Sequence, residues 1–129
     1  MKKLLLIISF SIFSLFSLNA QSGDVFTPIG KYIQAGDAEK LSAWFANNLE
    51  VDILGSANDC SKTQATQIIK DFFIKNAPKS FSIIHKSGKS PLTYAIGNLN
   101  AGNKKFRVTI FVKTKDGQNK IQHIKIEQE

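Results

Sequence analysis

The stretch Phe81–Ile126, FSIIHKSGKSPLTYAIGNLNAGNKKFRVTIFVKTKDGQNKIQHIKI, decides the fold. Apolar residues recur in it at alternate positions: Phe81 and Ile83; Leu92, Tyr94 and Ile96; Phe106, Val108, Ile110 and Val112; Ile124 and Ile126. Such alternation puts one set of side chains on one face of a pleated strand. Three segments rich in Gly, Asn, Ser and Pro (Ser87–Ser90, Asn100–Asn103, Lys115–Asn119) divide it into four strands, Phe81–His85, Leu92–Leu99, Phe106–Lys113 and Ile121–Ile126. These breaks are too short for parallel crossovers, so antiparallel hairpins are expected. In the last hairpin a two-residue Asp116–Gly117 loop would set Val108 opposite Lys125 and mix the faces. An odd loop, Lys115–Gly117 with Gly117 as bulge residue, sets Val108 against Ile124 and Phe106 against Ile126, and the pattern favours it.

Before Pro78 the period is helical. Ser61 and Gln64 form a capping-box signature, and Ala65, Ile68, Ile69, Phe72 and Phe73 make an apolar stripe. Leu49, Val51 and Ile53 alternate with Glu50 and Asp52 as a half-buried strand over Leu49–Leu54, and Gly55–Asp59 reads as a loop. Asp37 caps a second helix whose Ala38, Leu41, Trp44 and Phe45 share a face, with Asn47–Asn48 ending it. Thr27–Pro28 opens the first helix, Ile29 and Ile33 lie four apart, and Gly36 stops it. The expected class is α+β: three N-terminal helices packed on a curved antiparallel sheet, in the order helix, helix, strand, helix, four strands.

The chain has 129 residues and a net charge of +7. Its first twenty differ from the rest. Met1-Lys2-Lys3, the apolar run Leu4–Leu18 and Asn19-Ala20 have the basic start, greasy middle and small last residue of a secretory signal peptide, residues 1–20. An uncleaved membrane anchor is the competing reading, although the run is short for one. Cleavage after Ala20 removes Lys2 and Lys3, takes the charge to +5, and leaves residues 21–129 as a single domain, secreted or periplasmic and not membrane-spanning. The single cysteine, Cys60, excludes an internal disulfide, so packing must supply the stability.

The element order resembles the nuclear transport factor 2-like (cystatin-like) superfamily. The leader, Ile68-Ile69-Lys70-Asp71-Phe72-Phe73, Phe81–Ser87 with His85, Tyr94-Ala95-Ile96-Gly97-Asn98-Leu99 and Phe106-Arg107-Val108 resemble, more narrowly, a family of small exported Bacteroidetes proteins of unknown function with that fold. The resemblance implies a cone of helices over a curved sheet. The superfamily holds isomerases, dehydratases and non-catalytic binding domains alike, so fold does not decide activity.

An enzyme of this shape needs a base in the cavity between helices and sheet. The carboxylates supply none that caps, turns or polar strand faces leave unexplained. His85 shares parity with Phe81 and Ile83 and is expected on the helix-covered side, either as a hydrogen-bonded residue at the core edge or as a ligand contact. Tyr94, with Tyr32 and Trp44 from the helices, completes the set of ligand-pocket candidates, and each serves equally as core. His85 and His123 have no Cys or carboxylate at ligand spacing, and the glycines make no phosphate loop, so neither metal nor cofactor is expected. Cys60, just before the Ser61 cap, reads as a buried or incidental thiol. The lone arginine, Arg107, and the scatter of lysines argue against nucleic acid.

With the alternate residues assigned to the covered side, Ile84, Ala95, Leu99, Phe111 and Ile121 are left facing away, rimmed by Ser82, Thr93, Arg107, Thr109 and Lys113. That set is the expected interface of a homodimer, with Phe111 near its centre. The expected function is a non-catalytic binding or interaction domain of the cell envelope, its partner a small apolar ligand or an envelope protein. The alternative is a small-molecule isomerase or lyase using His85.

Overall fold

Three helices and six strands follow one another in the computed structural model, which describes residues 24–129. The expected leader, residues 1–20, lies outside the described residues. Helix α1, Phe26–Ala35, starts where Asp24 Oδ1 accepts the Phe26 N–H at 3.0 Å, and ends at Gly36, which takes the left-handed φ of 66°. Asp37 Oδ1 accepts the Lys40 N–H at 3.0 Å and caps α2, Ala38–Leu41. A 3₁₀ turn, Ser42–Trp44, comes next.

The second helix therefore stops well short of Asn47–Asn48. Phe45 takes extended backbone (ψ 141°) and begins β1, Phe45–Ile53, pairing with Ile121. Its ring is buried, and burial together with a place in the sheet outweighs the continuation of a short helix, which has little stability of its own. A turn through Leu54 and Gly55 leads into β2, Ser56–Ser61, where the sequence pattern reads a loop. Only Cys60 of β2 is buried, so this edge strand carries no hydrophobic alternation. The capping box forms in both directions: Gln64 N–H donates to Ser61 Oγ at 3.2 Å, and Ser61 N–H to Gln64 Oε1 at 3.1 Å. Helix α3, Lys62–Lys75, then buries Ala65, Ile69, Phe72 and Phe73.

The hairpin strands are β3 (Ser80–Lys89), β4 (Leu92–Ala101), β5 (Lys104–Lys115) and β6 (Gln118–Gln128). The sheet order is β2-β1-β6-β5-β4-β3. The expected α+β class, three helices on a curved sheet, is the one observed. Its pairings are antiparallel except for β1 with β6, which is parallel.

Two bulges correct the expected register. Lys115 pairs with Gln118, so the last turn is the two-residue loop Asp116–Gly117, with φ of 53° and 73°. The odd residue is Gln122 inside β6, between the pairs Val112–Ile121 and Phe111–His123. Val108 consequently faces Ile126 rather than Ile124, and Phe106 faces Gln128 rather than Ile126. In β3, Ile84 is the extra residue between the pairs Ile83–Gly97 and His85–Ile96. It reverses the parity of the rest of the strand, and His85 is carried to the uncovered face.

On β4 the covered residues are Ala95, Gly97, Leu99 and Ala101, not Leu92, Tyr94 and Ile96. The pairs Ala95–Ile110, Gly97–Val108 and Leu99–Phe106 place them beside the buried residues of β5. Small residues lie here because bulky ones press on them: the ring of Phe81 covers Gly97. The space between helices and sheet is packed with Phe45, Phe72, Phe81 and Phe106, the rings of Phe72 and Phe106 meeting edge-on with centroids 5.1 Å apart.

Candidate functional site

The helices cover one side of the sheet, and on the other side four aromatic rings stand in a row. Cross-strand pairing aligns Tyr94 with Phe111 and Phe111 with His123, while His85 pairs with Ile96, the next residue of that face. The centroids are 5.9 Å apart from His85 to Tyr94, 5.6 Å from Tyr94 to Phe111 and 5.2 Å from Phe111 to His123. The last two rings are stacked, with an interplanar angle of 20°. Such contacts favour each ring standing upright on the sheet over lying loose in water.

The row ends at His123 on β6, whose Nε2 lies 2.9 Å from Glu50 Oε2 on the adjacent β1. The approach is close but lacks hydrogen-bond alignment, so the buried Nε2 has no hydrogen-bond partner among the described residues, and neither has Asp52 Oδ1 nearby on β1. Glu50, Asp52 and Asp59 stand at the β1–β2 end of the face and Lys105, Arg107 and Lys113 on β5, with Lys125 beside Asp52 and Glu127 beside Arg107 on the intervening β6. Leu92 (60% exposed), Phe111 (37%) and the bulge residue Ile84 (56%) leave large apolar surface in water.

The expected interface set is thus divided. Ile84 and Phe111 are exposed, but Ala95, Leu99 and Ile121 are wholly buried in the core. They sit there because β4 has the opposite parity and because Gln122 lets Ile121 pair with buried Val112. The expected pocket set is divided as well. His85 and Tyr94 belong to the aromatic row, whereas Tyr32 and Trp44 line a groove of about 680 Å³ at the opposite end of the molecule from the β1–β2 turn. Sequence reasoning missed His123, since only the bulge at Gln122 aligns it with Phe111.

No polar or charged residue is buried among the described residues. Cys60 is buried, its Sγ 3.7 Å from Leu49 O. Burial, helped by the charge of Asp59, pushes its thiol above the ordinary range. Among the described residues there is no group of three or more His, Cys, Asp or Glu side chains able to hold a metal, and no helix long and apolar enough to cross a membrane.

The family described as Domain of unknown function (DUF4783) matches residues 26–127. The crystal structure of a DUF4783 family protein from Bacteroides ovatus ATCC 8483 is similar with a TM-score of 0.76 and 25% identity, over 79% of this chain and 93% of that one. One from Bacteroides uniformis ATCC 8492 gives 0.79 and 21%, over 82% and 98%. An NTF2-like protein of unknown function from Cytophaga hutchinsonii ATCC 33406 shares the fold with a TM-score of 0.60 at 8% identity, over 82% and 88%. No curated protein matches the chain.

Proposed function

The chain belongs to the DUF4783 family, and on that footing we propose that it is a non-catalytic interaction domain of the bacterial cell envelope whose uncovered sheet face seats a second copy of itself. The observation that carries this reading is the aromatic row flanked by exposed Leu92 and Ile84. Burying the exposed parts of Ile84, Leu92 and Phe111 is worth on the order of 1 kcal/mol each. A symmetric contact needs a patch complementary to itself. This face provides an apolar centre with Glu50, Asp52 and Asp59 on one flank and Lys105, Arg107 and Lys113 along β5. The envelope location rests on the leader-like sequence of residues 1–20. The non-catalytic reading is supported by a core packed with apolar side chains, whereas acid–base catalysis draws on desolvated ionisable groups.

Sedimentation velocity of the chain from Gln21 onward, at tens of micromolar, tests the dimer. The expected species is a dimer, and Phe111→Asp is expected to give a monomer with an unchanged circular dichroism spectrum. Leu92→Lys, at a more exposed position, serves as the second variant if Phe111→Asp unfolds. A wild-type monomer at that concentration overturns the reading.

A further inference from the structure

Where the Asp116–Gly117 turn meets the start of β1, two grooves adjoin, of about 680 and 710 Å³, with Gln118 and Lys120 lining both. Five lysines line the pair: Lys40, Lys62, Lys113, Lys115 and Lys120. Asp116 is the one carboxylate among the lining residues. None of the five lysines forms a salt bridge among the described residues. Lys120 Nζ donates to Ala43 O at 3.1 Å, which holds one ammonium group beside both grooves. Like charges gathered in a concave site raise the local positive potential and favour an anion there.

The uncharged lining narrows the class of anion. At one end stand Trp44 and Tyr32, both half-buried, offering apolar ring surface. Beyond them are amide side chains, Gln118 and Asn119, then Asn47, Asn48 and Gln122. Amides both donate and accept, so they suit hydroxyl groups. Aromatic rings suit the C–H faces of a pyranose, much as they suit other flat apolar surfaces. Arg107, the lone arginine of the chain, lines neither groove and lies 3.5 Å from Glu129, so the guanidinium chemistry typical of nucleic-acid sites is missing here.

We propose that this lysine-lined double groove is a binding site for an acidic carbohydrate chain, its sugar rings against Trp44 and Tyr32 and its carboxylates among Lys113, Lys115 and Lys120. None of the four rings of the aromatic row lines either groove, and Lys113, which pairs with Leu92, is where the site borders the sheet face read above as the dimer contact.

Isothermal titration of the whole mature chain with a hexamer of galacturonic acid tests it, with a neutral glucose hexamer and inorganic polyphosphate as comparison ligands. The galacturonate hexamer is expected to bind, more weakly as salt is added, and the neutral hexamer is not. Replacing Lys113, Lys115 and Lys120 by Gln should weaken binding roughly tenfold or more, since exposed charge pairs are individually weak and add modestly. Lys75→Gln, on α3 and outside both grooves, should change nothing. Trp44→Ala should weaken the galacturonate hexamer about fivefold while leaving polyphosphate unaffected, in line with the size of aromatic contacts. Tyr32→Ala is the second variant if Trp44→Ala fails to fold. No binding of the galacturonate hexamer at low salt overturns the proposal. So does polyphosphate binding as tight as galacturonate with no effect of either aromatic substitution, since that is generic cation attraction.

Discussion

The ring of Phe81 occupies the place where any side chain at Gly97 would begin: a Cβ built on Gly97 lies 2.3 Å from Phe81 Cζ and 2.5 Å from Cε1. Phe81 pairs with Leu99, so its ring reaches diagonally to the residue two positions along on the same face. The glycine is the partner of the ring and seals the sheet beneath α1.

Gly97→Ala is therefore expected to destabilise the fold by about 1–3 kcal/mol through overpacking. The same substitution should cost less in a Phe81→Leu background, where the obstructing ring is gone. Urea unfolding of the four proteins of this cycle reads the coupling directly, and equal costs in both backgrounds would show that the ring is not the obstacle.

Leu54 holds φ at 53° in the turn between β1 and β2 and is 51% exposed. A branched side chain in the left-handed region costs about 1 kcal/mol, and little packing is lost on removing it. Leu54→Asn, which makes an Asn-Gly turn, should stabilise the protein by up to that amount. Thermal unfolding checks the sign.

Lys86 donates a hydrogen bond to Asp24 and lowers its pKa below the ordinary 3.8, against an opposing effect of burial and with help from the Phe26 N–H. A folded value below the unfolded one means that the stabilisation is complete above 3.8 and fades as the pH falls through the lower, folded value. Both groups are partly exposed, so the pair contributes only about 0.5 kcal/mol. Asp24→Asn should lose that amount at pH 7 and match wild type once the pH is well below 3.8. A constant difference across that range would contradict the assignment.

Cys60 is buried, and its thiol is held up first by burial and then by the charge of Asp59. Iodoacetamide should modify it at least about a hundredfold more slowly in the native protein than in urea, because reaction requires both exposure and the thiolate. Mass spectrometry of timed samples measures both rates. Similar rates would place the thiol at the surface.

Much of the fold was legible. Ser61 and Gln64 announce α3, Gly36 ends α1 through its left-handed backbone, and the turn residues separate β3 to β6. What escaped the sequence was parity. Ile84 and Gln122 are each a single inserted residue with no special chemistry, yet each changes which face the neighbouring residues occupy. On β4 the larger side chains, Leu92, Tyr94 and Ile96, stand on the uncovered face, while Ala95, Gly97 and Ala101 lie under bulky neighbours. Hydrophobic bulk therefore pointed the wrong way. For the candidate site, Tyr94, Phe111 and His85 were recognisable as residues of interest, but their assembly into one row with His123 depends on both bulges.

The parallel pairing of β1 with β6 has a consequence in time. β6 leaves the ribosome after the other five described strands, yet it lies between β1 and β5. Until it arrives, the chain holds two incomplete pieces: β1–β2 with α3, and the meander β3–β4–β5. Each exposes a bare edge where β6 belongs. Joining the sheet's early and late segments is a long-range closure and slows folding. A ribosome-stalled chain ending before Gln118 should remain protease-sensitive, and the sheet should close only once β6 has emerged.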